Sequence, residues 1–160
     1  MLKQLIKKKD FIIAVLVFIS RFGFLPANFS PLGSFGFLSK NFVLFFGGII
    51  LFDIIHSGFY PYFWMTYIGF LAYPALGYIS KDTKSKLLLL PLSSFLFFLI
   101  SNFGSYLAMY PHNIYGLISC YTNALPFYVN TLSSDIVFGY GALALVAVAQ
   151  KVHMHTPRLT

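Results

Sequence analysis

The stretch Leu87–Met109, "LLLLPLSSFLFFLISNFGSYLAM", decides the fold class. It contains no charged side chain, and it is longer than the roughly 20 residues that an α-helix needs to cross the hydrocarbon core of a bilayer. Five more apolar runs occupy Phe11–Leu25, Pro31–Ser39, Phe42–Tyr60, Tyr62–Ser80 and Leu132–Ala149. The sequence therefore predicts an all-α integral membrane protein with about six transmembrane helices, of which the second is short or re-entrant.

The overall composition supports the same class of protein. Hydrophobic residues make up 58% of the 160 residues and charged residues only 9%, whereas a soluble domain carries about 25% charged residues. We expect one membrane domain over residues 1–160. Residues 1–10 are predicted as a basic cytoplasmic start, residues 11–149 as the helical bundle and residues 150–160 as a cytoplasmic tail.

The distribution of positive charge predicts the orientation. The net charge is +7, and lysines cluster before the first run and in "SKDTKSK" at 80–86. Basic residues at the ends of spans favour the cytoplasmic side, where they meet lipid headgroups. Six crossings of the cell (inner) membrane then leave both termini in the cytoplasm. Since the lysines follow span ends and accompany no recognition motif, a nucleic-acid partner is not expected.

The segments predicted to face outwards are polar but uncharged. The longest, Tyr110–Thr131, is predicted as a loop, with Pro126 breaking any helix that enters it and Asn130 or Ser133 capping the helix that follows. Candidate substrate-binding residues are Asn28, Ser30, Asn102, Tyr106, Tyr110, His112, Tyr121, Asn123, Asn130 and Asp135. The uncharged character of the outer segments favours a neutral or weakly polar solute, although Asp135 could take a cationic group. An interfacial aromatic belt that only anchors the protein is the equal alternative.

Three charged residues fall inside the apolar runs: Arg21, Asp53 and Asp135. A charge in the bilayer is costly, so each should have a partner. We expect Arg21 to pair with an aspartate and assign Arg21 and Asp53 to structural charge pairing. Asp135, predicted close to the outer start of the last helix, stays open: it can orient Asn102 or Tyr106, or bind a solute. The two aspartates begin similar sequences, "DIIHSGFY" and "DIVFGYG".

Signatures of catalysis are missing from the sequence. It has no nucleophile elbow, phosphate-binding loop or zinc-protease motif, and its single cysteine, Cys120, has no metal-ligand spacing to the four histidines. We therefore predict a protein that is not an enzyme and that needs no metal or cofactor.

Three sequences and one charged residue carry a resemblance to a known family. They are "NFSPLGSFG" from Asn28, Asp53 in its apolar run, "FFLISNFGSYL" from Phe97, and "YPHNIYGLISCYTNALPFYVNTLSSD" from Tyr110. They resemble an uncharacterised family of short bacterial polytopic membrane proteins. That family is similar to the substrate-binding (S) components of energy-coupling factor transporters.

The resemblance implies a particular function. It implies a six-helix, S-component-like bundle that captures a small vitamin- or nutrient-type molecule from outside. Other chains would supply a coupling subunit and ATPases. The alternative is a structural or assembly subunit of a membrane protein complex, whose outer segments contact another protein.

Overall fold

The computed structural model describes residues 8–22, 25–39 and 41–155, which form helices joined by short turns and contain no strand. The predicted all-α class is confirmed. Residues 1–7, Lys40 and residues 156–160, to which part of the charge pattern belongs, lie outside the described residues.

The described residues form six continuous helical stretches, as predicted. The helices are α1 (Lys8–Ser20), α2 (Leu32–Ser39), α3 (Phe42–Phe52), α4 (Phe63–Ile79), α5 (Thr83–Met109), α6 (Ile114–Ser134) and α7 (Gly141–His155). A first π-helical segment, Asp53–Ser57, extends α3, and a second, Asp135–Tyr140, joins α6 to α7. π-Helical turns are rare and occur frequently at functional sites. Both of these begin at one of the two aspartates of the similar sequence pair.

Two of the continuous helices are long and apolar enough to cross a membrane: Thr83–Met109 and Ile114–Val152. Asp10–Ser20 and Phe42–His56 are apolar but shorter. The second helix is short, as predicted, with 8 residues in α2.

The short helix α2 lies at the centre of the fold. Six of its residues, from Leu32 to Phe37, are buried, and α2 packs against α4. The closest approach is at Gly77, where an added Cβ would collide with the backbone carbonyl of Phe37. The core around this contact includes Phe45, Tyr73 and Leu90.

The prediction of a long outer loop over Tyr110–Thr131 is wrong, because α6 begins at Ile114. The side chain of Asn113 caps the helix by accepting a hydrogen bond from the Gly116 amide at 2.9 Å. The helix then continues through Pro126. Proline is tolerated within membrane helices when neighbouring groups compensate for the lost hydrogen bond.

The location predicted for Asp135 is corrected as a consequence. Asp135 lies in the interior of the continuous helix that begins at Ile114 and is 1% exposed, so it is not close to the start of a helix. Asn130 lies within α6 and does not cap a helix. Its side-chain amide instead donates to the Ala27 carbonyl at 3.0 Å, which joins α6 to the segment between α1 and α2.

Candidate functional site

The carboxyl group of Asp135 is surrounded by hydroxyl groups. Its Oδ2 accepts hydrogen bonds from the Tyr73 hydroxyl at 2.7 Å and from Ser94 Oγ at 2.8 Å. Its Oδ1 accepts from Ser34 Oγ at 3.1 Å. The three donors belong to α4, α5 and α2 respectively, so a single side chain connects the second π-helical segment to three helices.

No cationic side chain lies within ion-pair distance of Asp135 among the described residues. A buried carboxyl group needs hydrogen bonds or an opposite charge to offset the loss of hydration. Here the three hydroxyl groups supply the hydrogen bonds. Gly33 makes room for this arrangement, because a Cβ at that position would overlap Asp135 Oδ1 and the Tyr73 ring.

The second aspartate, Asp53, has a similar partner. Its Oδ2 accepts a hydrogen bond from the Tyr67 hydroxyl at 2.8 Å. Tyr67 and Tyr73 are six residues apart on α4, which places them on different sides of that helix. Helix α4 therefore donates one tyrosine hydroxyl to the first residue of each π-helical segment.

A cavity of about 540 Å³ lies next to the Asp135 cluster. Ligand pockets typically enclose 300–1,000 Å³. The polar residues of its wall are Ser20, Arg21, Asn28, Ser30, His56, Tyr73, Thr131 and Ser134. Aromatic rings from Phe29, Phe52, Phe70 and Phe97 complete much of the remainder. Tyr73 connects the cavity to Asp135, since it lines the cavity and its hydroxyl group donates a hydrogen bond to Asp135.

Arg21, in the turn after α1, brings a positive charge to this cavity. Its Cζ lies 3.9 Å from the centroid of the Phe52 ring, a cation–π contact. Its Nη1 is buried and has no hydrogen-bond partner among the described residues. Asp53 is within electrostatic range of Arg21, but no ion pair within 4 Å forms between them. The structure therefore does not form the direct Arg21–aspartate contact that the sequence predicts.

Two of the ten predicted substrate-binding residues, Asn28 and Ser30, line the cavity directly. Asn130 touches its wall through the hydrogen bond to Ala27. Asp135 lies behind Tyr73. Asn28 has a positive φ of 63°, a conformation in which asparagine is enriched among non-glycine residues.

The other six predicted residues do not line this cavity. They pack where α5 meets the start of α6: Asn102 donates to the Phe98 carbonyl, Tyr121 to the Leu99 carbonyl and Asn123 to the Tyr110 hydroxyl. The His112 ring lies against Tyr106 and contacts the Leu107 carbonyl. Asp135 is hydrogen-bonded to Ser34, Tyr73 and Ser94 instead of Asn102 or Tyr106, so the structure does not form the first of the two alternatives left open for it.

Sequence reasoning missed Ser34, Tyr73, Ser94 and Thr131. Ser34, Tyr73 and Ser94 lie in apolar runs, where a hydroxyl residue is not unusual, and Thr131 lies at the end of the stretch predicted as a loop. Nothing in the sequence next to these residues indicates that their helices pack near Asp135. A usable signal exists in retrospect, since Asp135 lacks a basic residue nearby in sequence. Its partners therefore had to be sought among the hydroxyl groups of the other helices.

Fold and site together define an all-helical protein with two helices long enough to cross a membrane and a partly polar cavity between its helices. The sequence profile of a family of unknown function (DUF6580) matches residues 8–158. The chain belongs to this family. Neither the curated proteins nor the solved structures include a match to the chain.

Proposed function

We propose that the protein is a membrane-embedded binding component for a small molecule in an uptake system. The cavity of about 540 Å³ carries this proposal, because it combines a ligand-sized volume with polar groups from five separate segments. The resemblance to S components implies that a coupling subunit and ATPases on other chains would complete the transporter.

The surface of the helices supports a membrane location. Large apolar side chains are exposed along α1, including Phe11 at 54% and Leu16 at 63%. α7 exposes Leu145 and Val148 in the same way. Contiguous apolar surface of this kind is unfavourable in water and is matched by lipid. We propose the bacterial inner membrane as that location.

The segment between α1 and α2 supports entry of the solute from outside. It contributes Pro26, Asn28 and Ser30 to the cavity wall, and the charge pattern predicts that it faces outwards. The hydrogen bond from Asn130 to Ala27 holds this segment against α6. A solute that enters here would contact Asn28 and Ser30 in the cavity wall.

The proposal is tested by retention of solutes. Purified protein is incubated with a mixture of small metabolites, washed and analysed by mass spectrometry for what it retains. We expect retention of a small solute, and about tenfold weaker retention after Asn28→Gly or Thr131→Val, because each removes one polar group from the wall. Glycine accepts the positive φ at position 28, and valine keeps the shape of threonine.

Thr122→Val is the matched control, because Thr122 is exposed on the same helix and does not line the cavity. Equal loss of the solute in Thr122→Val would contradict the assignment of the site. Retention of no solute, together with copurification of a stoichiometric protein partner, would favour the assembly subunit instead.

A further inference from the structure

We propose that the cavity recognises its solute through one carboxylate group, which the Arg21 guanidinium binds. This inference rests on the proposed function and names the chemical class of the solute. It departs from the neutral solute that the uncharged outer segments favour.

The unpartnered donors of Arg21 are the first observation. The guanidinium group carries five N–H donors and no acceptor. Arg21 lines the cavity, and its buried Nη1 has no hydrogen-bond acceptor among the described residues. Leaving a buried donor without an acceptor is unfavourable. A carboxylate provides two acceptor oxygens in the geometry that a guanidinium fork matches.

The contact with Phe52 places the guanidinium group for this role. Because Cζ lies 3.9 Å from the ring centroid, one face of the guanidinium is covered by the phenyl ring. The N–H donors point outward in the guanidinium plane, and Arg21 lines the cavity. Arginine stacked on a ring in this way loses less freedom when it binds a planar anion.

The surrounding charges limit the solute to a single negative charge. Asp53 is the charged group in electrostatic range of Arg21, and it is engaged with Tyr67 through a 2.8 Å hydrogen bond. Asp135 is separated from the cavity by Tyr73. One guanidinium that is partly balanced by a nearby aspartate can neutralise one carboxylate, whereas a dianion would remain uncompensated.

The apolar wall indicates the rest of the solute. Phe29, Phe70 and Phe97 line the same cavity, and aromatic rings bind flat apolar groups well. We therefore expect an aromatic or aliphatic monocarboxylate rather than a small inorganic anion.

The experiment compares benzoate with benzamide, which share a ring and differ in charge. Binding of each probe to the purified full-length protein in phosphatidylcholine nanodiscs is followed by isothermal titration calorimetry and by the shift in melting temperature. We expect the wild type to bind benzoate about tenfold more tightly than benzamide, and Arg21→Gln to abolish this difference.

Two further variants serve as controls. Lys84→Gln removes the same charge from an exposed position at the start of α5 and should keep the preference for benzoate. Arg21→Lys keeps the charge and should keep part of the preference, which preserves the test if Arg21→Gln fails to fold.

Each remaining outcome overturns the inference in a distinguishable way. Equal binding of benzoate and benzamide by the wild type would retain the proposed binding function but reject Arg21 as a carboxylate site. Binding of neither probe, with no metabolite retained, would reject both. In nanodiscs that contain phosphatidylglycerol, Arg21-dependent retention of that lipid without benzoate binding would assign Arg21 to a headgroup phosphate and reject the solute carboxylate.

Discussion

Asp135 illustrates how one buried side chain can determine the arrangement of several helices. Its carboxyl group accepts from three hydroxyl donors on three other helices. None of these donors lies within 40 residues of it in sequence, so every hydrogen bond crosses between helices. Loss of the carboxyl group would leave the Tyr73 hydroxyl without its acceptor. Ser34 Oγ and Ser94 Oγ would keep a backbone carbonyl acceptor, each at 3.2 Å. Hydrogen bonds to a charged group contribute more to stability than those between neutral groups.

We predict that Tyr73→Phe destabilises the protein by about 1–3 kcal/mol, because it removes the 2.7 Å hydrogen bond to Asp135 while the ring stays in place. Asp135→Asn should also destabilise it. The double variant should lose less than the sum of the single losses, because the two residues share one interaction. The thermal unfolding midpoint is measured by a thiol-reactive dye, since Cys120 is the single cysteine and is 2% exposed.

Tyr78→Phe on the same helix is the control for Tyr73→Phe, because Tyr78 is 72% exposed. It should unfold at the wild-type temperature. Strict additivity of the Tyr73 and Asp135 substitutions would show that the hydrogen bond does not contribute to stability as the structure implies.

At the scale of the helices, the position of α2 depends on the absence of a side chain at Gly77. The backbone of α2 at Phe37 occupies the space that a Cβ on α4 would need. Backbone atoms inside a helix cannot move aside without displacing the whole helix, so substitution at this contact forces α2 and α4 apart. Because α2 carries both Gly33 and Ser34, this displacement also changes the surroundings of Asp135.

We predict that Gly77→Ala destabilises the protein by about 1–3 kcal/mol through overpacking, measured with the same dye. Gly47→Ala in α3 is the matched control, because nothing lies within 4 Å of the added Cβ. There the higher helix propensity of alanine should stabilise the protein by up to about 1 kcal/mol. A stabilising effect of Gly77→Ala would contradict the close contact between α2 and α4.

The helices differ in how far the sequence predicts them. The apolar runs identify α3 together with its π-helical extension, α4 and α5 to within four residues at each end, because an uninterrupted apolar run is a direct signal. The beginning of α6 gives no such signal, because its tyrosines and asparagines and Pro126 are typical of a loop. Its signal was the spacing of Gly116, Cys120 and Ala124, which lie four residues apart and are all buried. Small residues at this spacing form one helix face.

The candidate site was predicted less completely for a physical reason. Asn28 and Ser30 could be selected because they are polar residues in a turn between apolar runs. The hydrogen bonds of Asp135 connect residues that are 41 to 101 positions apart, and no local pattern encodes such a pairing. The same holds for Arg21, whose contact with Phe52 depends on how α1 packs against α3.

At the scale of the whole molecule, consecutive helices that cross the membrane run in opposite directions, and this determines which helix ends lie on the same side of the membrane. The end of α1, the turn before α4 and the turn between α5 and α6 lie on one side if every continuous helix crosses once. The turn before α5 lies on the other side with the C-terminal end of α7. α6, the second π-helical segment and α7 form one continuous helix. It therefore counts as one crossing, and the additional helical residues from Ile114 to Thr131 leave this alternation unchanged.

We predict that the start of α6 faces outwards and the start of α5 faces the cytoplasm. In a Cys120→Ala background, Tyr115→Cys should react with a membrane-impermeant maleimide added to intact cells, because Tyr115 is 80% exposed. Lys84→Cys is the matched exposed position in the first turn of α5, and it should react only after the cells are permeabilised. Lys84 lies among the basic residues that favour the cytoplasmic side. Labelling of Lys84→Cys in intact cells, with Tyr115→Cys protected, would reverse the orientation and place the cavity mouth on the cytoplasmic side, where it could not take up a solute from outside.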